Sequence, residues 1–471
     1  MQSENYELGM IGLGVMGRNL LLNMADHGFK VAGYDKDAAK VEALGKEKVK
    51  GEVKAFSGLS EFINSLQKPR AVMLLVPAGK IVDSVIEEIT PLLDKGDLII
   101  DGGNSYFTDT NRRAESLKSK GLHFFGMGVS GGEEGARNGP SLMPGGDQEA
   151  YKVVKPIFEA IAAKVKGEPC VTYIGPGASG NFVKMVHNGI EYAIMQLIAE
   201  TYEFMRKGLG LSGDQMHQIF KQWNEGRQQS FLVEITRDIF AYKEPGSTTL
   251  LLDLIKDEAR SKGTGKWTSQ VAMDLQLPIT AIDTAVSMRD LSKYKSIRVT
   301  ASSIYKDSKQ KVDGDQQPFI NALEESLYFS TIIAYAQGMH MLSQASKEFN
   351  YDLKLDEIAL IWRGGCIIRS TFLEDIHQAF KKNRALPHML LDSGIADKVN
   401  GAIAGTRKIV STAVAAGISI PAHAASLSYF DAIRSEHMPS NMIQAQRDYF
   451  GAHTYERVDK EGVFHTPWTA K

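Results

Sequence analysis

Through roughly the first 170 residues, short apolar runs alternate with stretches in which apolar positions recur every three or four residues. The runs ELGMI (7–11), KVAGYD (30–35), AVMLLV (71–76), DLIID (97–101), HFFGMGV (123–129) and VTYIG (171–175) predict strands. The periodic stretches predict helices over Met16–His27, Lys80–Leu93, Thr108–Lys120 and Glu149–Ala163. Such alternation predicts an α/β domain over residues 1–177, with a mostly parallel sheet covered by helices on both faces. From Ala178 the character changes: helical periodicity dominates and strand-like runs disappear, which predicts a large all-α domain over 178–435. Within it, residues 207–235 echo residues 346–376, and Trp223 and Trp362 are each followed by a glycine three residues on. A spacing of about 140 residues is too long for a solenoid unit, so the echo points to partial duplication of a helical subdomain. Residues 436–471, rich in Gly, His and charge without sustained periodicity, read as a loosely held C-terminal tail.

Length and composition narrow the function. A chain of 471 residues exceeds what one core supports. A net charge of -2 gives no bulk attraction for nucleic acid or anionic membranes, so an acidic ligand needs a local basic cluster. Two distant cysteines, Cys170 and Cys366, argue against a disulfide scaffold, and no Cys/His spacing suggests a metal site. The opening MQSENYELGM lacks the pattern of a secretory leader, and no apolar run approaches a membrane span. The expectation is a cytoplasmic protein.

The strongest chemical signal is GLGVMG (12–17), which follows a strand and opens a helix. Gly12 permits the tight turn, Gly14 admits a pyrophosphate to the backbone, and Gly17 lets helix and strand pack closely. Leu13, Val15 and Met16 complete a loop whose helix N-terminus faces the diphosphate. Asp35, 18 residues after Gly17, is placed to accept hydrogen bonds from ribose hydroxyls and to repel a 2′-phosphate. Lys36 partly offsets that charge and Asp37 adds to it, so NAD is favoured over NADP. Two further turns, LLVPAG (74–79, with Val76, Pro77 and Ala78) and DGGNS (101–105, with Asn104), end at the same sheet edge.

In GNFVKMVHNGIEYAIMQLIAE (180–200), Lys184, His187, Asn188 and Glu191 fall at i, i+3, i+4 and i+7, on one helix face amid apolar positions. A lysine in such a pocket is driven toward the pKa of a useful base. Lys184 and Glu191, roughly 10.5 Å apart along the axis, would address different carbons of an extended substrate. Ser130, Gly131 and Gly132, in a predicted sheet-edge loop over 128–146, offer a hydroxyl and backbone N–H groups to a carboxylate. SKGTGKWT (261–268) lacks the spacing of a nucleotide-triphosphate loop, yet Lys262 and Thr264, with Arg289, suit a phosphate monoester.

Together GLGVMGRNLLLNMADHGF, DGGNS, GVSGGEEGARNGPSLMPGG, FVKMVHNGIEY, KGTGKWT and NMIQAQRDYFGAHTYE resemble the 6-phosphogluconate dehydrogenase family, nearly end to end. The resemblance implies a Rossmann-type domain, a helical domain, and a tail that reaches the neighbouring subunit's site in a homodimer. It implies oxidative decarboxylation of 6-phosphogluconate to ribulose 5-phosphate in the pentose phosphate pathway, without a metal. Carried over by motif, Lys184 is the base at the C3 hydroxyl and Glu191 the acid that protonates C1 of the enediol. Asn104, Ser130, Gly131, Gly132, His187 and Asn188 would orient the sugar acid. Tyr192, Lys262, Thr264, Arg289 and, from the partner subunit, Arg447 and His453 would hold the phosphate. Three departures stand out. Asp35-Lys36-Asp37 replaces the Asn-Arg-Ser/Thr of NADP enzymes, Val76-Pro77-Ala78 replaces Val-Lys-Ala, and Asn181 stands where histidine is common. Two other readings stay open: a related β-hydroxyacid dehydrogenase, typically a shorter chain, and a dinucleotide-binding sensor without turnover.

Overall fold

Alternate residues of each central strand point to opposite faces of one sheet, and each face meets its own set of helices. The computed structural model describes residues 5–305 and 311–469. The strands are β1 (Leu8–Ile11), β2 (Lys30–Tyr34), β3 (Glu52–Phe56), β4 (Ala71–Leu74), β5 (Leu98–Asp101), β6 (His123–Ser130) and β7 (Ser141–Gly146). Their order is β3-β2-β1-β4-β5-β6-β7, parallel except for the antiparallel β6–β7 pair. Leu8, Met10, Val31 and Met73 face α1 (Val15–Asp26), α6 (Gly132–Asn138) and α7 (Gln148–Ile161). Ile11, Val72, Leu74 and Ile99 face α3 (Leu59–Asn64), α4 (Lys80–Ile89) and α5 (Phe107–Lys118), while α2 (Ala38–Gly45) follows β2. The chain reverses direction across the sheet on either side of β1, so a crevice opens at the carboxyl edge between β1 and β4.

Three local expectations need correcting. The 171–175 run pairs with β7 only through an isolated Val171–Leu142 bridge. Pro144 supplies no N–H to extend that ladder, although its carbonyl accepts from Ile174 N. The 128–146 segment is not a loop: β6 runs to Ser130, α6 follows, and β7 returns antiparallel. Nor is the tail without regular structure, for it forms a helix over Ser440–Gly451 and a ribbon pairing Tyr455–Glu456 with Val463–Phe464. Asp448 organises it, accepting from Thr454 N at 3.0 Å, Thr466 N at 3.0 Å and Trp468 Nε1 at 2.8 Å.

A 25-residue helix, α8 (Ser179–Glu203), begins the helical half and lies against the sheet. Glycines make that approach possible. A Cβ on Gly128 would lie 2.5 Å from Lys184 Cβ, and one on Gly145 would lie 2.3 Å from Gly180 N. On its other side α8 packs against the helix Gln317–Glu348. The two echoing segments fold alike, as Gly213–Asn224 followed by Phe231–Ala241 and Leu355–Ile361 followed by Phe372–Lys382. Their turns pair with each other through Phe231 N to Arg369 O and Thr371 N to Gln229 O. Among the described residues no helix is long and apolar enough to cross a membrane.

Candidate active site

Gly12 adopts φ +100, and a Cβ there would sit 2.4 Å from Leu75 O; one on Gly17 would sit 1.9 Å from Gly12 O. A Cβ on Gly14, by contrast, would meet nothing within 4 Å among the described residues, and α1 starts with no side-chain cap. The backbone is therefore bare where a diphosphate would approach the helix N-terminus, so the residues present fit a dinucleotide. A cleft of about 550 Å³ adjoins it, lined by Gly12, Gly14, Asp35, Lys36, Val76 and Pro77 among the expected residues. Leu13 is buried and donates its N–H to Asp35 Oδ2 at 2.8 Å, while Asp37 N donates to Asp35 Oδ1 at 2.9 Å. Burial pushes the Asp35 carboxyl up, but those N–H groups and Lys40 outweigh it and leave its pKa below the ordinary value. Asp37 caps α2 by accepting from Ala39 N; Val15 and Met16 form the first turn of α1, and Ala78 and Asn104 are exposed in their turns.

Sequence reading missed several groups here. Lys40, on the first turn of α2, reaches Asp35 Oδ2 at 3.4 Å, and Glu88 meets Lys36 at 2.6 Å across the cleft. Buried Asp101 accepts from Ser105 Oγ at 2.6 Å and Gly103 N at 3.1 Å. Arg113 joins Asp101 to Gly79 O, so it ties the two sheet-edge turns together. The only sequence signal for this pair was an acid ending a strand and an arginine in the following helix. The 101–105 turn then connects to α8, because Asn181 Nδ2 donates to Gly103 O at 3.3 Å and its Oδ1 accepts from Thr110 at 3.0 Å. That pair of hydrogen bonds gives the Asn181 departure a role: it fixes the 101–105 turn one helical turn before Lys184.

On α8 Lys184, His187 and Asn188 of the polar stripe are buried, and Glu191 is half-buried. Lys184 Nζ donates to Ser130 Oγ at 3.1 Å and lies 3.4 Å from His187 Nδ1. His187 Nδ1 is 3.0 Å from Asn188 Oδ1, and Nε2 is 3.2 Å from Ser130 Oγ. Asn188 Nδ2 donates to Thr264 Oγ1 at 3.1 Å, which leaves its Oδ1 toward the imidazole. Burial and the neighbouring Lys184 drive the His187 pKa well down, so the ring is neutral, with its proton on Nδ1 and Nε2 accepting from Ser130. Trp362 packs edge-on to this ring, centroids 5.5 Å apart. Its sequence signal was the repeat, and the following Gly365 carbonyl would lie 2.6 Å from a Cβ on Gly131. Gly131 and Gly132 both have positive φ, at the turn that leads from Ser130 into α6.

Burial lowers the Lys184 pKa, opposed by the charge of Glu191. The same cause raises that of Glu191, opposed by Lys184 and Arg289. Each group is thus pushed toward its neutral form, the amine as a base and the carboxyl as an acid. Near Glu191, the Arg289 guanidinium stacks 3.6 Å from the Tyr192 ring centroid. Tyr192 in turn packs on Gly265 of the helix Thr264–Asp274, and Thr268 of that helix packs on Gly189 of α8. Thr264 is therefore brought to the stripe, while Lys262 is exposed beside it. Arg447 and His453 are exposed, with contacts inside the tail to Gln444 and Phe450.

A model of the 6-phosphogluconate dehydrogenase C-terminal domain matches residues 180–468, and one of the NAD binding domain of 6-phosphogluconate dehydrogenase matches residues 7–175. The chain is 49% identical over 466 residues to the NADP(+)-dependent, decarboxylating 6-phosphogluconate dehydrogenase of Bacillus subtilis (strain 168), covering 99% of each chain. It is 50% identical over 467 residues to the decarboxylating 6-phosphogluconate dehydrogenase of Mus musculus, covering 98% of this chain and 96% of that one. A solved structure of Plasmodium falciparum 6-phosphogluconate dehydrogenase, described apo, with its cofactor NADP+ and with its substrate 6-phosphogluconate, superposes with a TM-score of 0.95 at 45% identity. It covers 98% of this chain and 100% of that one. This chain belongs to the decarboxylating 6-phosphogluconate dehydrogenase family.

Proposed function

We propose that this chain oxidatively decarboxylates 6-phosphogluconate to ribulose 5-phosphate, with Lys184 as general base and Glu191 as general acid. The observation that carries the reading is the pair itself: a buried amine and a half-buried carboxyl on one helix face, with pKa values displaced in opposite senses by burial. Gly12, Gly14, Asp35 and the α1 N-terminus would hold the dinucleotide, whose nicotinamide, when bound, accepts a hydride from substrate C3.

Neutral Lys184 takes the C3 hydroxyl proton as C3 is oxidised. The resulting ketone stands β to the carboxylate. Protonated Lys184 then polarises the ketone oxygen, so the C1–C2 bond pair flows toward it as carbon dioxide leaves. Glu191 delivers its proton to the carbon that becomes C1 of the product. Ser130 and the neutral His187 orient the amine through the bonds already described, and Asn188 holds His187 in that tautomer. Asn104, Gly131 and Gly132 complete the sugar-acid side. Lys262, Thr264, Arg289 and Tyr192 would bind the phosphate with Arg447 and His453 of the partner subunit, which makes the working unit a dimer.

Asp35, ionised and facing the cleft beside Gly12, supports NAD as the favoured cofactor. The test is cofactor reduction with 6-phosphogluconate beside 3-hydroxyisobutyrate, using NAD and NADP in turn. The expected result is reduction with the sugar acid, faster with NAD. Reduction with 3-hydroxyisobutyrate alone overturns the substrate assignment, and a strong NADP preference overturns the cofactor one.

A further inference from the structure

The dinucleotide cleft carries charge on both walls. On the β2 side stand Asp35, Lys36 and Lys40; on the α4 side stands Glu88. Ile81, Ser84, Val85 and Glu88 follow one another at i, i+3, i+4 and i+7, so one face of α4 forms that wall. Glu88 lies in the last turn of α4, where the helix dipole disfavours an acid, so its helix gives it no support there. What it has is Lys36, 2.6 Å away across the cleft. Lys40 is likewise engaged, 3.4 Å from Asp35. Each cation lining the cleft is paired with an acid also lining it.

We propose that Glu88 is a specificity-determining residue for cofactor choice, which acts by engaging the Lys36 ammonium and so withholding it from a 2′-phosphate. The inference rests on the reading of Asp35 as the ribose acceptor and of NAD as the favoured cofactor. A 2′-phosphate brought beside Asp35 meets a carboxylate and needs a cation in compensation. Lys36 follows Asp35 directly and is its nearest supply in sequence, but it is committed to Glu88. Asp35 thus repels the phosphate, and Glu88 removes the residue that would have rescued it. The two acids sit on separate elements, so Glu88 can be changed while the bonds from Leu13 N and Asp37 N to Asp35 stay in place.

The experiment compares wild type, Glu88→Gln and the double variant Lys36→Met/Glu88→Gln. It reads the kcat/KM ratio of NADP to NAD, and the Kd of 2′,5′-ADP and 5′-AMP by calorimetry. Wild type is expected to favour NAD. Glu88→Gln should raise the NADP:NAD ratio about fivefold, the upper end for an exposed ion pair, with a matching gain for 2′,5′-ADP over 5′-AMP. The double variant should lose most of that gain. A ratio in Glu88→Gln unchanged from an NAD-preferring wild type overturns the role of Glu88 and leaves the NAD reading standing. A gain that survives loss of Lys36 also overturns it. A wild type that prefers NADP removes the reading beneath the proposal, and the proposal with it.

Discussion

Gly265→Ala tests the packing that brings the helix Thr264–Asp274 against α8. A methyl at this position would lie 2.5 Å from Tyr192 Cδ2 and Cε2, about 1 Å inside ordinary contact. Tyr192 cannot retreat freely, because it is buried and carries the Arg289 guanidinium 3.6 Å from its centroid. The helix Thr264–Asp274 must therefore shift. Overpacking of this kind costs about 1–3 kcal/mol. A displacement of about 1 Å would also break the 3.1 Å bond from Asn188 to Thr264, and misplacement on that scale lowers turnover on the order of 100-fold. The expected result is a lower Tm and a fall in kcat/KM for 6-phosphogluconate, with cofactor Kd unchanged, since the GLGVMG turn lies on other elements. Steady-state kinetics, thermal unfolding and cofactor titration on one preparation check all three. Wild-type stability together with wild-type kcat/KM would refute the packing argument.

Two further outcomes follow from the buried polar groups. Asn181→Ala leaves Gly103 O and Thr110 without their partner, which should cost about 1–3 kcal/mol of stability and raise the cofactor KM through the 101–105 turn; thermal melts and kinetics measure both. Glu200, in α8, is raised to about 7 by burial, against hydrogen bonds from Ala422 N, Gln196 and His423 N that favour its charge. Its folded pKa exceeds the unfolded one, so its contribution is fully present below pH 4.5 and lost as pH rises through about 7. Glu200→Gln should therefore gain on wild type by up to about 3 kcal/mol between pH 5 and pH 8, read from paired unfolding curves.

What the sequence made legible was what backbone chemistry forces on residue choice. Gly12 and Gly17 had to be glycine because their Cβ atoms would strike a carbonyl, and α8 announced itself because a His–Asn pair on a buried face has no structural bargain to offer. The hidden parts are hidden for physical reasons. β3 (EVKAF) is an edge strand with only part of each face covered, so it has no apolar run to read. β7 (SLMPGG) contains the Pro and Gly that normally mark a loop, because α8 crosses it at Gly145. The tail is organised around one buried carboxylate, Asp448, whose partners within it lie 6 to 20 residues away and leave no period. Burial works against that charge, yet His465, Thr466 N and Trp468 hold its pKa at about 2. Glu88, Arg113 and Trp362 act through contacts between distant segments, which spacing along a single element cannot reveal.

The proposed division of labour between Lys184 and Glu191 is tested most directly by single-turnover mixing of the Lys184→Met variant, loaded with cofactor, against 6-phosphogluconate. Substrate should still bind, while the rise in reduced-nicotinamide absorbance slows by about 100-fold to 10,000-fold, the range ascribed to a positioned base. A rise at the wild-type rate would mean that the proton leaves by another route, and that this amine is not the base.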